Sequence, residues 1–152
     1  MPFANWKEFY SLNMPDIDEQ HKKLFELVNQ LWDAIACKRS PEIQLKAIEE
    51  LELYTDYHFR LEEDFMREIG YPEFDAHYAM HQQFIKKIAD SRKEMISEGN
   101  LPIDLLSFFN NWLANHILIE DKKYVRFFSD KVKANSSRPS LVGMFFKKMT
   151  GR

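Results

Sequence analysis

The 152-residue chain is poor in the features that mark several common protein classes. Its single cysteine, Cys37, excludes an intramolecular disulfide framework and fits a reducing compartment; on a helical apolar face we expect it to be a small buried side chain. No apolar stretch approaches the length of a membrane span, and the start, MPFANWKEFY, lacks the basic and apolar pattern of a secretion signal. These absences predict a cytoplasmic protein.

Basic residues are in no excess either. The 21 Lys and Arg residues against 24 Asp and Glu residues give a net charge of −3, whereas phosphate binding needs a clustered basic face. We therefore expect no nucleic acid as a partner. The length, with 45% hydrophobic and 30% charged residues, is typical of one soluble domain with a sizeable core.

Glycine is scarce and no segment has the two-residue period of a strand, whereas four segments have apolar residues at helical spacing. The glycines fall at or near predicted helix ends or in the last residues: Gly70, Gly99, Gly143 and Gly151. Short breaks between four amphipathic helices predict an all-α protein, an up-down-up-down antiparallel four-helix bundle. We assign residues 1–133 to this bundle with an N-terminal arm, and residues 134–152 to a hinge and a C-terminal amphipathic extension.

Capping signals predict where these helices begin. We expect the starts at Asp16, which forms a capping box with Glu19, at Ser40 and Pro41, at Pro72, and at Asn100 and Pro102. Gly70 and Gly99 should end the second and third helices, and the fourth should run towards Phe128.

All five histidines occur in a setting that suits a metal centre. His58 with Glu62, and His77 with His81, are one helical turn apart, so each pair projects two donors from one face. His21 and His116 supply the other two helices. Imidazole suits iron, copper, zinc and nickel, and carboxylates can bridge two cations. A lone histidine on an apolar face is more often a core residue, but five on four helices indicate two metals that share carboxylates and keep one position open.

The carboxylate of the fourth helix is ambiguous from spacing alone. Glu120 lies four residues after His116 and shares its face, whereas Asp121 lies five residues after it, about 140° further round a regular helix. Regular geometry favours Glu120. Asp121 becomes co-facial only if the helix contains a π-bulge, which is rare but concentrated at functional sites.

At these motifs the chain resembles the hemerythrins, in particular the single-domain bacteriohemerythrins. The resemblance is carried by IDEQHKKLF at 17–25, HFRLEEDFM at 58–66, the HxxxH of His77 and His81, and NHILIED at 115–121, together with Trp6 in an N-terminal arm. It covers roughly residues 3–130, and several motif pieces in one order are far more specific than a lone HxxxH.

The resemblance implies a di-iron centre with a defined ligand set. It assigns the carboxylate of the fourth helix to Asp121, and so implies a π-bulge or wide turn before it. One iron would be held by His77, His81 and His116, and the other by His21 and His58. Glu62 and Asp121 would bridge the two ions together with an oxo or hydroxo group. Dioxygen would bind at the open position of the second iron, as a hydroperoxide.

The implied function is reversible dioxygen binding for carriage, storage, delivery or sensing, rather than enzymatic turnover. The shell is rich in histidine and has two carboxylates, whereas di-iron enzymes of ferritin-like bundles use a carboxylate-rich shell. The alternative is a di-iron enzyme acting on peroxide or nitric oxide, or an iron-handling protein.

Residues near the predicted ligands extend the site. The resemblance points to an apolar oxygen pocket lined by Phe59, Trp112, Leu113 and Ile117, although each taken singly is as readily explained as bundle core. Glu63 and Asp64 are expected at the surface or hydrogen-bonded to a ligating imidazole, and not as ligands.

The last residues depart from the family pattern. After the polar stretch KANSSRPS, Leu141, Phe145 and Met149 recur at every fourth position, with Lys147, Lys148 and Arg152 mostly elsewhere. Residues 141–152 therefore form a short cationic amphipathic segment that suits a protein groove or a membrane surface. The alternative is that they fold back on the bundle or form a frayed end.

Overall fold

The computed structural model describes residues 3–135, and it confirms the four-helix bundle. The helices are α1 (Pro15–Ala36), α2 (Pro41–Ile69), α3 (Phe74–Glu98), α4 (Asp104–Asn115) and α5 (Lys122–Ala134). A π-helical segment, His116–Asp121, joins α4 to α5, so these three form the fourth rod of the bundle. Residues 3–135 contain no strand. The predicted segment 141–152 lies outside the described residues, and the boundary at residue 133 stays a prediction.

The first helix begins next to its predicted start but without the predicted cap, and the displaced starts are those of the third and fourth helices. The first helix begins at Pro15, and neither Met14 before it nor the expected capping box makes a side-chain cap. Instead the carboxylate of Asp18, inside the first turn, accepts hydrogen bonds from the Leu12 N–H at 2.9 Å and the Ser11 hydroxyl at 2.6 Å. The N-terminal arm is thus bonded to Asp18, whereas Asp16 and Glu19 form no capping box. The third and fourth helices begin two residues after Pro72 and Pro102, because each proline lies in the turn before its helix.

The other boundary signals are confirmed. The Ser40 hydroxyl accepts a hydrogen bond from the Ile43 N–H, and Pro41 is the first residue of α2. Gly70 and Gly99 end α2 and α3 with φ values of 68° and 80°, a left-handed conformation that costs glycine little.

Cys37 and several residues at helical apolar spacing, Tyr78 among them, are exposed. Cys37 was expected to be buried, but it follows the last residue of α1 and is exposed, since the helix ends before its thiol can turn inward. Ile43, in the first turn of α2, is 51% exposed, and Phe108 is 40% exposed beside the buried Phe109. Ile119 is 53% exposed because the π-helical segment rotates the residues that follow His116.

Two apolar clusters form the core, and polar residues separate them along every helix. Along each helix the larger cluster lies mainly on one side of the histidines and the smaller cluster on the other, with Phe59 and Ile117 of the larger cluster directly after His58 and His116. In α1, for example, His21 lies between Ile17 of the smaller cluster and Leu24 of the larger one. In α2, His58 and Glu62 precede Phe65 of the smaller cluster. The bundle therefore holds its buried histidines and carboxylates in one polar layer, with an apolar cluster on each side of that layer.

The N-terminal arm is fixed to α1. The backbone N–H and C=O of Ala4 each form a 2.6 Å hydrogen bond with the side-chain amide of Asn29, and Phe3 stacks on Trp32 with ring centroids 4.6 Å apart. Within residues 3–135, no helix has both the length and the apolar character to cross a membrane.

Candidate metal centre

All seven predicted ligands lie together in the polar layer. Each is at most 5% exposed: His21 from α1, His58 and Glu62 from α2, His77 and His81 from α3, and His116 and Asp121 from the π-helical segment. Their donor atoms fall into two groups that could each hold a metal ion. The groups are His77, His81, His116 and Asp121, and His21, His58, Glu62 and Asp121. Asp121 belongs to both groups.

The first group is built around three imidazole nitrogens. The Nε2 atoms of His77, His81 and His116 are 3.0, 3.1 and 3.0 Å from one another. Metal–nitrogen bonds of about 2.1 Å at right angles would put neighbouring nitrogens about 3.0 Å apart, whereas tetrahedral angles would put them about 3.4 Å apart. The spacing therefore suits one face of an octahedral transition-metal ion better than a tetrahedral zinc site.

The π-helical segment brings Asp121 into this layer. Asp121 Oδ1 lies 3.2 Å from Nε2 of both His77 and His116, and Oδ2 lies 3.1 Å from Nε2 of His21. The predicted π-bulge is confirmed. Glu120, the choice of regular geometry, instead faces outwards and contacts Lys123. One carboxylate thus places an oxygen against each histidine group.

The second group has two imidazoles, from His21 and His58, and two carboxylates, from Glu62 and Asp121. His58 Nε2 lies 2.9 Å from Glu62 Oε1, and the same oxygen is 3.7 Å from Nε2 of His81 in the first group. The rings of His21 and His58 meet edge to face with centroids 4.9 Å apart. Glu62 therefore also lies between the groups, although closer to the second.

Several buried donor atoms lack hydrogen-bond partners, which provides a test of whether a cation fits. Among the described residues, both oxygens of Glu62, Oδ1 of Asp121 and Nε2 of His21 make no hydrogen bond, and Glu62 Oε1, Asp121 Oδ1 and His21 Nε2 lie against other atoms of the same ligand set. A buried carboxylate without a donor is costly, and two close together repel each other. Two divalent cations would satisfy these atoms and neutralise both acids, so the donor set fits a two-metal centre.

Two contacts orient imidazoles from behind. Glu63 Oε2 lies 2.7 Å from Nδ1 of His81, and Gln20 Oε1 lies 2.6 Å from Nδ1 of His58. Each oxygen accepts the Nδ1–H, so each Nε2 presents a lone pair to the centre. Glu63 was anticipated from the sequence, and Asp64 is exposed beside Arg67. Gln20 was not predicted from the sequence. What could have indicated it is its position as a polar residue directly before His21, in a buried turn.

Burial and neighbouring charges shift the pKa values of the predicted ligands. Burial lowers the pKa of His81 to about 2, so that imidazole stays neutral. Burial disfavours ionised Asp121, but its contacts with His116, His21 and His77 hold the carboxyl pKa well below its usual range. Burial alone would lower the pKa of His58, yet the neighbouring Glu62 and Asp121 carboxylates raise it overall. A proton therefore competes with a metal more strongly at His58 than at His81.

Aromatic and aliphatic side chains cover the first group. Phe59 stacks on His81 with centroids 3.7 Å apart, and Trp112 stacks on His116 at 4.3 Å. Leu113 and Ile117 are each 1% exposed in the larger apolar cluster, and Trp112 is half-buried. All four predicted lining residues thus lie in contact with the layer or in the cluster that bounds it.

Tyr124 was missed by the sequence analysis. Its side chain is fully buried, three residues after Asp121, and edge to face with His77 at 5.7 Å. Burial, together with the charge of Glu62, raises the pKa of its phenol well above the ordinary value. In the sequence, Tyr124 looks like an ordinary core residue. Only its spacing of three residues from Asp121 indicates that it lies beside the site.

A bundle that buries two histidine and carboxylate groups between its helices defines a non-haem cation-binding protein of the all-α class. The sequence profile described as "Hemerythrin HHE cation binding domain" matches residues 14–128. The chain belongs to the hemerythrin family.

Individual relatives agree with this assignment. The chain is 36% identical over 116 residues to the bacteriohemerythrin of Methylococcus capsulatus, covering 76% of this chain and 88% of that protein. It is 32% identical over 119 residues to the myohemerythrin of Theromyzon tessulatum, covering 78% of this chain and 88% of that protein. A solved wild-type hemerythrin superposes with a TM-score of 0.77 at 32% identity, covering 84% of this chain and 98% of that one.

Proposed function

We propose that the protein binds dioxygen reversibly at a centre of two iron ions per chain. In this assignment His77, His81 and His116 hold one ion, and His21 and His58 hold the other. Glu62 and Asp121 join the two, with a solvent-derived oxo or hydroxo group. When bound, ferrous iron supplies the electrons and the ligand position that a small diatomic gas requires.

The unequal division of the histidines carries this proposal. Three imidazole nitrogens converge in one group and two in the other, while Asp121 turns one oxygen towards each. A group with one nitrogen fewer has room for an exogenous ligand. Both groups are buried, so that ligand has to be small and is shielded from bulk water.

Protein side chains hold the centre in a binding rather than a reactive state. Gln20 and Glu63 fix the Nδ1–H forms of His58 and His81, which keeps the donor lone pairs aligned. Phe59 contacts the His81 ring of the first group and the His58 ring of the second, with centroids 3.7 and 5.9 Å away, and with Trp112, Leu113 and Ile117 it supports an apolar cover that keeps water and anions from the centre. The raised pKa of Tyr124 keeps its phenol protonated and therefore inactive as a base.

The same features disfavour the enzymatic alternative. An enzyme acting on peroxide or nitric oxide benefits from a group that exchanges protons near the reacting atoms. In the described layer the carboxylates between the histidine groups are Glu62 and Asp121, and both are committed to the centre. We therefore assign carriage, storage, delivery or sensing of oxygen and no enzymatic turnover.

The location of the protein and the recipient of its oxygen are inferred from the sequence rather than from the site. The single cysteine supports a reducing, cytoplasmic location. Residues 141–152 are the segment that would address the protein to a partner protein or a membrane surface.

Oxygen stoichiometry tests the proposal. Iron-loaded, anaerobically reduced protein should take up one dioxygen per two irons, release it under argon, and release no peroxide over repeated cycles. Uptake that continues beyond one equivalent, with peroxide or water formed, would instead establish an oxidase. A protein that retains a single iron per chain would refute the two-ion assignment.

A further inference from the structure

Thr55 is a buried polar residue of α2 that lies outside the predicted ligand set. Its side chain is 0% exposed, and its hydroxyl oxygen forms no hydrogen bond within the part of the chain that the structure describes. A buried hydroxyl without a partner costs free energy, because it has given up its hydrogen bonds to water. A small molecule that brought an acceptor to this hydroxyl would remove that cost.

Other buried polar side chains in the bundle have partners. Apart from Tyr124, every other buried residue with a polar side chain between residues 3 and 135 is a predicted ligand or forms a side-chain hydrogen bond. Those with such a bond are Asp18, Gln20, Gln44, Glu63, Tyr71 and Ser91. The unpaired hydroxyl of Thr55 is therefore an exception to the way this core is built.

Ser91 shows what a buried hydroxyl can do inside a helix of this bundle. It is 3% exposed on α3, and its hydroxyl donates to the backbone carbonyl of Lys87, four residues earlier, at 2.7 Å. This bond is a common one for Ser and Thr in helices. Thr55 does not form it with the carbonyl of Leu51, so its hydroxyl remains available to a group outside the helix.

Helix geometry places Thr55 beside the second histidine group. Thr55 lies seven residues before Glu62, which is about 20° short of two full turns, so both side chains leave α2 on the same inward face. His58 follows Thr55 by three residues. Side chains on a helix lean towards its N-terminus, so the imidazole extends over the turn that carries Thr55. Thr55 thus borders the group that has two imidazoles and room for an exogenous ligand.

The remaining neighbours of Thr55 along α2 are apolar. Leu51, one turn before it, and Phe59, one turn after it, belong to the larger apolar cluster. Leu113 and Ile117 of the predicted oxygen pocket belong to the same cluster. Thr55 therefore adds one hydrogen-bond donor to the apolar side of the site, where the pocket residues lie.

We propose that the Thr55 hydroxyl donates a hydrogen bond to a small ligand bound at the open position of the second group. This inference rests on the proposed oxygen-binding function and adds a specificity-determining residue to that site. Dioxygen that has accepted electron density, and an anion such as azide, both present an acceptor atom. A hydrogen bond to a charged acceptor is stronger than one between neutral groups, so Thr55 favours these ligands over apolar molecules of the same size.

Ligand binding by the full, iron-loaded chain tests the proposal. Azide titration of the ferric protein gives an affinity, and oxygen release from the reduced and oxygenated protein under argon gives a dissociation rate. Thr55→Val removes the hydroxyl but keeps the shape, whereas Thr55→Ser keeps the hydroxyl. Ser91→Ala is the matched control, because it removes a buried hydroxyl about 15 Å along α3 from His81.

Thr55→Val should bind azide roughly tenfold more weakly than the parent and release oxygen roughly tenfold faster, as loss of a hydrogen bond to a charged group predicts. Thr55→Ser should stay closer to the parent than Thr55→Val does, and Ser91→Ala should match the parent. Denaturant unfolding of the metal-free proteins distinguishes a ligand contact from a structural role. Thr55→Val should unfold at the parent's denaturant concentration or above it, because it loses no bond within the protein.

Three results would overturn the proposal: azide affinity or oxygen release in Thr55→Val like the parent's, a Thr55→Ser variant as impaired as Thr55→Val, or a lower unfolding midpoint of metal-free Thr55→Val. Azide binding and unfolding do not require that the protein binds oxygen. A parent that fails to release oxygen would therefore refute the oxygen proposal, while these two measurements still decide the role of Thr55.

Discussion

His116 and Asp121 are five residues apart in sequence, yet Nε2 of the imidazole lies 3.2 Å from Oδ1 of the carboxylate. The contact exists because the helix between them is π-helical, which turns residues five apart onto one face. A helix of regular spacing would present Glu120 to the histidines and leave Asp121 outside. The extra residue in this turn therefore decides which carboxylate lies between the two histidine groups.

Substitution of Asp121 and of Glu120 should show which of the two carboxylates binds iron. We expect Asp121→Asn to lose at least one iron per chain, because an amide oxygen cannot neutralise two cations and its NH₂ faces imidazole nitrogens. Iron per chain after gel filtration measures this. Glu120→Gln is the matched control and should keep the parent's iron content; if instead Glu120→Gln loses iron and Asp121→Asn keeps it, the assignment is reversed.

Glu63 should act on the metal through His81. Removing its carboxylate with Glu63→Gln keeps a similar shape but weakens the acceptor for the Nδ1–H, and loss of such an outer partner typically lowers metal affinity about 10- to 100-fold. Competition with a chelator measures the affinity. Asp64→Asn, which alters the neighbouring exposed carboxylate, should change it less than twofold; equal effects of the two changes would indicate a general charge effect.

Glu63 should also make the metal-free protein sensitive to pH. Burial raises the pKa of this carboxyl from 4.5 to about 7, so the folded state binds its proton more tightly than the unfolded state does. Its contribution to stability is therefore full below about pH 4.5 and is lost as the pH rises through about 7. Denaturant unfolding at pH 5 to 8 measures the slope, with Glu63→Gln as the reference that lacks it. A parent and variant with identical slopes would contradict the shift.

Leu113 and Leu106 offer a way to distinguish pocket from core. Both are buried in the larger apolar cluster, and truncation of either to Ala should cost about 2–5 kcal/mol of unfolding free energy. Only Leu113 is a predicted lining residue, so Leu113→Ala should also admit water and speed oxidation of the oxygenated protein severalfold. Stopped-flow decay of the oxygenated spectrum measures this. Equal decay rates in the two variants would make Leu113 an ordinary core residue.

The sequence predicts the bundle well because its helices differ little from ideal elements. Apolar residues recur at helical spacing, and Gly70 and Gly99 end helices in the conformation that glycine permits. It predicts helix starts less well: the capping box of Asp16 with Glu19 does not form, and Asp18 in the same turn bonds the N-terminal arm, a contact that depends on how the arm packs. Exposure of Cys37 and Ile43 likewise depends on where the helix ends lie relative to the core.

For the site, residue spacing identifies the pairs within one helix but not the contacts between helices. His58 with Glu62 follows from a single turn, and so does His77 with His81. Gln20 beside His58 joins α1 to α2, so it required the packed bundle. Asp121 required both a family resemblance and an irregular turn, because local geometry alone favours Glu120.

The structure of the iron-loaded protein tests the central claim most directly. Crystallographic analysis with anomalous scattering at the iron edge should locate two ions in the polar layer. We predict that His77, His81 and His116 ligate one ion and His21 and His58 the other, with Glu62 and Asp121 contacting both. A single ion, an equal sharing of the histidines, or Glu120 in place of Asp121 would contradict the account.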